Sequence, residues 1–198
     1  MSRQLLSVLA AAAAALMLVP SAFALRVHVR VEGKTQTIFG ATEPTLSVRL
    51  NPLDALETAS VAGEFYYHVT TTAYGPYVDQ IGRYAADASN GWLFKVNGVL
   101  PPVGADSVTL KDGDRVLWYW AKFAGPVSPP TLVLKKRKRN CYRVLAQDDN
   151  GKTRPARGAL LHVGRRTVPV RTGSACVGAH RGLVRATLTG AVRSNALA

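Results

Sequence analysis

The chain has 198 residues, a formal net charge of +13 at pH 7 and an apolar fraction of 47%. That fraction excludes a wholly disordered chain, because disordered chains lack the residues that bury a core. The charge is unevenly spread: residues 25–130 carry nine Lys or Arg and ten Asp or Glu, whereas residues 131–198 carry fifteen and two. We therefore predict two domains, of which only the second is basic.

Residues 1–24 have the pattern of a secretory signal peptide. Arg3 precedes an apolar run at 5–19, and Ala22-Phe23-Ala24 matches a small-residue cleavage pattern. The apolar run is shorter than the ~20 residues that span a bilayer, which favours cleavage over the alternative of an uncleaved anchor. We predict an exported bacterial protein, extracellular or periplasmic, with no transmembrane anchor after cleavage.

Cap and turn signals divide the first predicted domain, residues 25–124, into strands and one helix. Strict alternation of apolar and polar residues at 25–31 predicts an opening strand. Asn51 as N-cap and Pro52 at the first helical position predict a helix that Gly63 ends. Further strands are predicted at 35–39 and 65–71. Residues 72–90 are predicted to be an irregular connection that could hold a single helical turn near 79–84.

Two central strands are predicted at 92–96 and 116–121, where aromatic and β-branched residues are bounded by Asn97-Gly98 and Asp112-Gly113. Because side chains alternate along a strand, the first has one apolar face and the second has two. A strand that is apolar on both faces must be covered twice, by a helix, another domain, a partner or a ligand. The order of elements favours a β-grasp-like α+β domain.

A Pro-rich linker at 125–130 leads into a second predicted domain at 131–198. Seven short apolar segments separated by Gly, Pro and Asn-Gly are typical of an all-β sandwich, at 131–134, 141–146, 159–163, 167–170, 175–178, 183–188 and 191–193. Cys141 and Cys176 predict a disulfide that contributes roughly 3–4 kcal/mol, with two free thiols as the alternative. The four histidines show no zinc-ligand spacing with either cysteine, so we predict no metal site.

Several motifs resemble, in their order and spacing, the transcobalamin-like C-terminal domain family over residues 25–123. They are Leu53-Asp54-Ala55-Leu56, Tyr74-Gly75-Pro76-Tyr77, Gly91-Trp92, Val96-Asn97-Gly98, Gly104-Ala105-Asp106 and Asp112-Gly113-Asp114. The resemblance implies a β-grasp-like fold and, as in the family's animal cobalamin carriers, contact with a corrinoid. The residues that inherit this role are Tyr74, Gly75, Tyr77 and Trp92. The helical barrel that completes those carriers has no counterpart in this sequence.

The second domain is similar to carboxypeptidase-regulatory-like or prealbumin-like sandwiches. The residues that carry this similarity are Asp149-Asn150-Gly151, Gly173 and the segments 156–159 and 183–186. Such modules imply a role as a spacer or an adhesive unit at a surface.

The residues favour a binding protein over an enzyme, since no nucleophile elbow or paired catalytic carboxylates occur outside turns. We expect a small molecule or a glycan to bind an aromatic cleft near Tyr74 and Tyr77. The alternative is a structural or adhesive envelope protein whose basic domain holds anionic wall polymers.

The basic run predicted to bind polyanions is Lys135, Lys136, Arg137, Lys138 and Arg139. A solvated loop is the alternative interpretation of this run, and no motif for specific nucleic-acid recognition accompanies it.

Overall fold

The computed structural model describes residues 24–123 and 128–198. The predicted signal peptide, apart from Ala24, and residues 125–127 of the predicted linker lie outside the described residues. The protein is mainly β: the two described segments contain sixteen strands and one helix. We refer to residues 24–123 as the N-terminal unit and to residues 128–198 as the C-terminal unit.

The N-terminal unit contains the helix and eight strands. They are β1 (Leu25–Glu32), β2 (Thr37–Phe39), β3 (Thr45–Val48), α1 (Pro52–Gly63), β4 (Tyr67–Thr72), β5 (Gly75–Ile81), β6 (Tyr84–Ala85), β7 (Asn90–Val96) and β8 (Arg115–Lys122). The C-terminal unit consists of β9 (Thr131–Lys138), β10 (Cys141–Gln147), β11 (Thr153–Pro155), β12 (Ala159–Val163), β13 (Arg166–Val170), β14 (Ser174–Cys176), β15 (Val184–Thr187) and β16 (Ala196–Leu197).

The main sheet of the N-terminal unit is mixed, with strand order β2-β1-β8-β7 and β3 also paired with β1. The central strands β1 and β8 run parallel, and the other pairs are antiparallel. Helix α1 packs on one face of this sheet and begins with a capping box between Asn51 and Asp54, which confirms the predicted start. Its end at Gly63 is also confirmed, because Glu64 follows in the left-handed conformation.

The prediction of an irregular connection after β4 is wrong. Residues 75–81 and 84–85 form β5 and β6, which build a small antiparallel sheet with β4. A bulge between His68 and Val69 shifts the β4–β5 register, and Pro76 lies within β5. Both features weaken the alternating pattern that identifies a strand in a sequence. Strand β3 was missed as well, since it is a four-residue strand with one buried residue.

The two faces of β8 are both apolar, as the alternation predicted. Val116 and Trp118 belong to the main core of the N-terminal unit, together with Trp92 and Phe94 of β7. The opposite face, with Leu117, Tyr119 and Ala121, forms a separate buried cluster that includes Val192 of the C-terminal unit. The second apolar face is therefore covered by the other half of the chain.

A charged network closes the same interface. The fully buried Glu32 accepts from Arg30 through Oε1 at 3.3 Å, and from Arg193 and Thr37 through Oε2 at 3.2 Å each. Arg185 also donates to Oε1 of Glu32. Burial lowers the pKa of the Arg185 guanidinium, an effect that Glu32 opposes and that the neighbouring arginines strengthen. One carboxylate thus joins strands of both units.

Lys95 is the second polar contact of the interface and is fully buried. Its Nζ donates to the Asp148 carbonyl at 2.9 Å and lies 3.3 Å from Oδ1 of Asp149. Burial lowers the pKa of Lys95, while the nearby carboxylates of Asp149 and Asp148 raise it in part. The result is a cation of the N-terminal unit held by the turn that follows β10.

The lowered pKa of Lys95 predicts a pH dependence of stability. In the unfolded state the pKa of Lys95 has its ordinary value of about 10.5. At pH values in the window between the lowered pKa of the folded state and this value, the unfolded state binds more protons than the folded state. The contribution of Lys95 to the free energy of unfolding should therefore rise with pH through that window. In urea unfolding at pH 7, 8, 9 and 10, we expect the free energy of unfolding of the wild type to rise with pH relative to that of Lys95→Met. Parallel pH profiles for the two proteins would contradict the assignment.

The C-terminal unit consists of two sheets packed around one apolar core. Strand β10 pairs with β9, β11 and β14, and the other sheet has the order β13-β12-β15-β16. The predicted disulfide is confirmed: Cys141 and Cys176 are bonded and lie directly opposite each other on β10 and β14. The strand predicted at 191–193 is wrong, because only Val192 makes an isolated bridge, to Thr131, and the last strand is β16.

Candidate ligand-binding cleft

The β4–β5 hairpin presents Tyr74 at its tip. Thr72 pairs with Gly75, so only Ala73 and Tyr74 lie in the turn, and Gly75 has a φ of 103° that a residue with a side chain rarely adopts. The Thr72 hydroxyl accepts from the Tyr74 amide at 3.1 Å and donates to the Gly75 carbonyl at 2.8 Å. These bonds fix the backbone of the turn, while the Tyr74 side chain is 98% exposed.

A loop between β7 and β8 faces this hairpin across a cleft. Its wall consists of Leu100, Pro101, Pro102, Val103, Gly104 and Ala105. Val103 is half exposed, and the two consecutive prolines restrict the backbone beside it. The Leu100 amide donates to the Asp149 carbonyl at 2.8 Å, so this wall is anchored on the C-terminal unit.

The floor of the cleft is aromatic and comes from the central strands. Trp92, Phe94 and Trp118 line it, and each is less than one-tenth exposed. The ring centroids of Phe94 and Trp118 are 5.1 Å apart, and Trp92 packs edge-on against Trp120 at 5.5 Å. This packing makes the floor rigid, because each ring is held by its neighbours.

Few polar groups face the cleft. The indole N–H of Trp92 donates to the Tyr84 carbonyl at 2.9 Å and that of Trp118 to the Pro52 carbonyl at 3.1 Å, so neither is available to a ligand. Tyr77 and Ser107 contribute hydroxyls to the lining. Burial raises the pKa of Tyr77, an effect that a hydrogen bond with the Trp92 backbone opposes in part.

These walls enclose a cavity of about 610 Å³ whose lining contains no charged side chain. A volume of this size suits a small molecule or a few sugar units, since ligand pockets typically measure ~300–1,000 Å³. Aromatic faces and a few hydroxyls bind a ligand through flat apolar surface and one or two hydrogen bonds. The lining of the cleft therefore suits ligands with a broad apolar face, and the carboxylate of Asp106 lies beside it, close to Gly104 and Gly75.

Three of the four predicted ligand-binding residues, Tyr74, Tyr77 and Trp92, line this one cavity. Gly75 shapes the turn beside it. Trp92 is only 2% exposed, so it supports the floor and offers a ligand little surface. Sequence reasoning missed the loop wall at 100–105, for which the Pro101-Pro102 pair next to the apolar Val103 was the available signal.

The predicted basic run lies at the end of β9 and in the turn after it. Residues 135–138 are strand residues with exposed side chains, and Arg139 is in the turn to β10. They lie in the C-terminal unit and do not line the aromatic cleft. The first four cations lie in a strand and not in a loop, because β9 pairs with β10 as far as Lys138, and their side chains are exposed to solvent as the alternative interpretation expects.

Within residues 24–123 and 128–198, no group of three or more His, Cys, Asp or Glu could hold a metal ion. In the same residues, no helix has the length and apolar character needed to cross a bilayer.

The described residues define a mainly β, disulfide-bonded protein with an aromatic cleft between a hairpin and a loop. Residues 53–122, which run from α1 to β8 and include the whole cleft, match a family described as a domain of unknown function (DUF4430). The match covers about a third of the chain. No curated protein matches the sequence.

Proposed function

We propose that the protein is a secreted, non-catalytic binding protein of the cell envelope that holds a small molecule or a glycan in the aromatic cleft. The observation that carries this proposal is the uncharged cavity of about 610 Å³ between Tyr74 on one wall and Val103 on the other. Both side chains are exposed and border the aromatic floor, and a contiguous apolar surface in a groove is a common mark of a ligand-binding site.

The ligand class follows from the lining. A corrinoid-like molecule, which the resemblance to transcobalamin-like domains suggests, has a broad flat surface, and sugar rings present apolar faces of similar character. Tyr74 is suited to stack on either, because a tyrosine side chain has only two rotatable bonds and loses little entropy when it is fixed. The hydroxyl of Tyr77 would provide the directional hydrogen bond.

The finer assignments of fold and location belong to the same proposal. The parallel β1–β8 pair with α1 across it supports a β-grasp-like N-terminal domain, and the two packed sheets support a sandwich after the linker. The Cys141–Cys176 disulfide favours an extracellular or periplasmic location, because disulfides persist in oxidising compartments. The second apolar face of β8 contributes nothing to the binding hypothesis, since Val192 and its neighbours cover it.

Replacing Tyr74 with alanine should weaken ligand binding by about 10- to 30-fold, the usual effect of truncating an aromatic anchor. The free energy of unfolding should change by less than about 0.5 kcal/mol, because the side chain is exposed in the free protein. The measurement is a thermal-shift and tryptophan-fluorescence screen of cobalamin, cobinamide and a panel of neutral oligosaccharides, followed by titration of each hit.

Tyr66→Ala is the matched control, because Tyr66 is also an exposed tyrosine but does not line the cleft. It should bind each hit like the wild type. Binding that survives Tyr74→Ala unchanged would place the ligand elsewhere. No response to the whole panel would favour the alternative function, a spacer or adhesive envelope protein whose basic domain holds anionic wall polymers.

A further inference from the structure

The outer face of the sheet around β10 carries a continuous furrow. Three hollows of about 680, 500 and 300 Å³ follow one another along β9. Half of the residues that line the first belong to the N-terminal unit, among them Glu43, whose carboxylate pairs with Arg30 and Arg115. The first and second share Lys135 and Thr153, and the second and third share Arg137 and Ser174. We call this surface the basic furrow and define its central part by Lys135, Arg137, Arg143, Thr153, Thr172 and Ser174.

Strand pairing places the cations of the basic furrow side by side. Lys135 of β9 lies directly opposite Arg143 of β10, which in turn lies opposite Ser174 of β14. Arg137 lies two residues beyond Lys135, at a bulge where the β9–β10 register shifts, and it lines the same hollow as Lys135 and Arg143. Three cations therefore converge on one groove, although Arg143 is not part of the run of five basic residues.

Nothing in the described residues neutralises these cations. Lys135, Arg137 and Arg143 form no ion pair within residues 24–123 and 128–198. The two acids of the C-terminal unit are engaged elsewhere: Asp148 caps the turn after β10, and Asp149 faces Lys95. Like charges directly opposite each other destabilise a sheet, so an anion bound between them would remove an unfavourable interaction.

The groove is built by tightly packed backbone. A Cβ atom added to Gly173 would lie 2.5 Å from the Cβ of Pro155, so β11 and the approach to β14 are in close contact. The disulfide joins β10 to β14 next to Ser174 and so fixes the far wall. Hydroxyls of Thr153, Thr172 and Ser174 line the same hollow as Arg143 and can donate to an oxyanion.

We propose that the basic furrow binds a linear polyanion whose repeating groups are phosphate or sulfate. Arginine forks and hydroxyl donors match the oxygens of such groups, and a furrow longer than one hollow suits a chain of them. A membrane is a less suitable partner, because a flat bilayer surface would contact only the rim of a concave groove. Single-stranded nucleic acid is also less suitable, because its bases stack on exposed aromatic rings and Tyr142, the aromatic residue of β10, is fully buried. The proposal is independent of the aromatic cleft.

The test compares two triple variants that remove the same charge. Lys135, Arg137 and Arg143 are replaced by glutamine in one, and the exposed Arg157, Arg165 and Arg181, which lie outside the furrow, in the other. Affinities of the purified protein for inorganic polyphosphate, heparin, single-stranded DNA and vesicles with anionic headgroups are measured between 50 and 300 mM salt, approximate limits chosen to resolve counterion release.

We expect the furrow variant to bind polyphosphate and heparin about tenfold more weakly, with the slope of log affinity against log salt shallower by about 2 to 3. The control variant should lose less than about one unit of slope. A loss restricted to polyphosphate or to heparin supports the site and identifies the natural anion. Equal losses in both variants would mean diffuse attraction and overturn the proposal, as would tighter binding to vesicles or DNA than to either polymer.

The single variant Arg143→Gln keeps the test valid if the triple variant folds poorly. Removing one of two opposed cations should raise the melting temperature, while polyphosphate should stabilise this variant less than the wild type. Equal stabilisation of both proteins by polyphosphate would count against the furrow.

Discussion

Replacing Glu32 with glutamine is expected to reduce the free energy of unfolding by about 3–5 kcal/mol, the usual cost of removing one partner from a buried ion cluster. The substitution keeps the side-chain volume, so no cavity forms and the loss is electrostatic. Arg30, Arg185 and Arg193 would remain in the interface without their shared carboxylate, with the glutamine NH₂ facing their donors. Urea unfolding followed by tryptophan fluorescence measures the change.

Glu64→Gln is the control, because Glu64 is exposed and makes no ion pair within the described residues. Its effect should be below about 0.5 kcal/mol. If Glu32→Gln lowers the free energy of unfolding by less than about 1 kcal/mol, the stabilising role assigned to the Glu32 carboxylate is contradicted. Such a result would mean that the three arginines are hydrated almost as well without it.

The same substitution has a consequence for the cleft. The loop wall at 100–105 is held by the bond from the Leu100 amide to the Asp149 carbonyl, and Val99 bridges Asn150. If the loss of Glu32 loosens the two units, this wall loses its support. We therefore expect Glu32→Gln to weaken binding of any ligand of the cleft, although Glu32 does not line it.

Removing the disulfide should have an effect of similar size. Cys141 and Cys176 are separated by 35 residues, and a bond across a loop of that length stabilises the folded state by about 4 kcal/mol in the chain-entropy model. For a chain of this size, each kcal/mol corresponds to roughly 2–4 °C, so the double variant Cys141→Ser, Cys176→Ser should melt about 8–16 °C below the wild type. Differential scanning calorimetry measures the difference.

A reducing agent provides the internal control for this prediction. It should lower the melting temperature of the wild type toward that of the double variant and leave the double variant unchanged. Equal melting temperatures for oxidised and reduced wild type would contradict the assigned contribution. Because the bond also fixes β14 beside Arg143, the double variant should bind polyphosphate more weakly than the wild type if the basic furrow is the binding site.

Local patterns in the sequence were sufficient for several elements. Asn51 and Pro52 define the start of α1 by capping chemistry, and Asn97 and Gly98 adopt the positive φ values, 52° and 86°, that their turn signal implies. The alternation in β7 and β8 also predicted which side chains share a face. Each of these features depends on residues a few positions apart, so the sequence contains all the information that they need.

The tertiary structure decided which surfaces meet. The sequence predicted that the second apolar face of β8 is buried. Only the structure shows that Val192 packs against this face and that the Glu32 network closes the same interface. The sequence places Tyr74 close to Tyr77. The position of the opposite wall at 100–105 depends on the contact between this loop and Asp149, which only the structure shows. The run of five cations was evident, but the pairing of β9 with β10 brought Arg143 beside Lys135. The physical reason is that alternation and capping fix the local conformation, while contacts distant in sequence depend on how whole faces pack and exclude water.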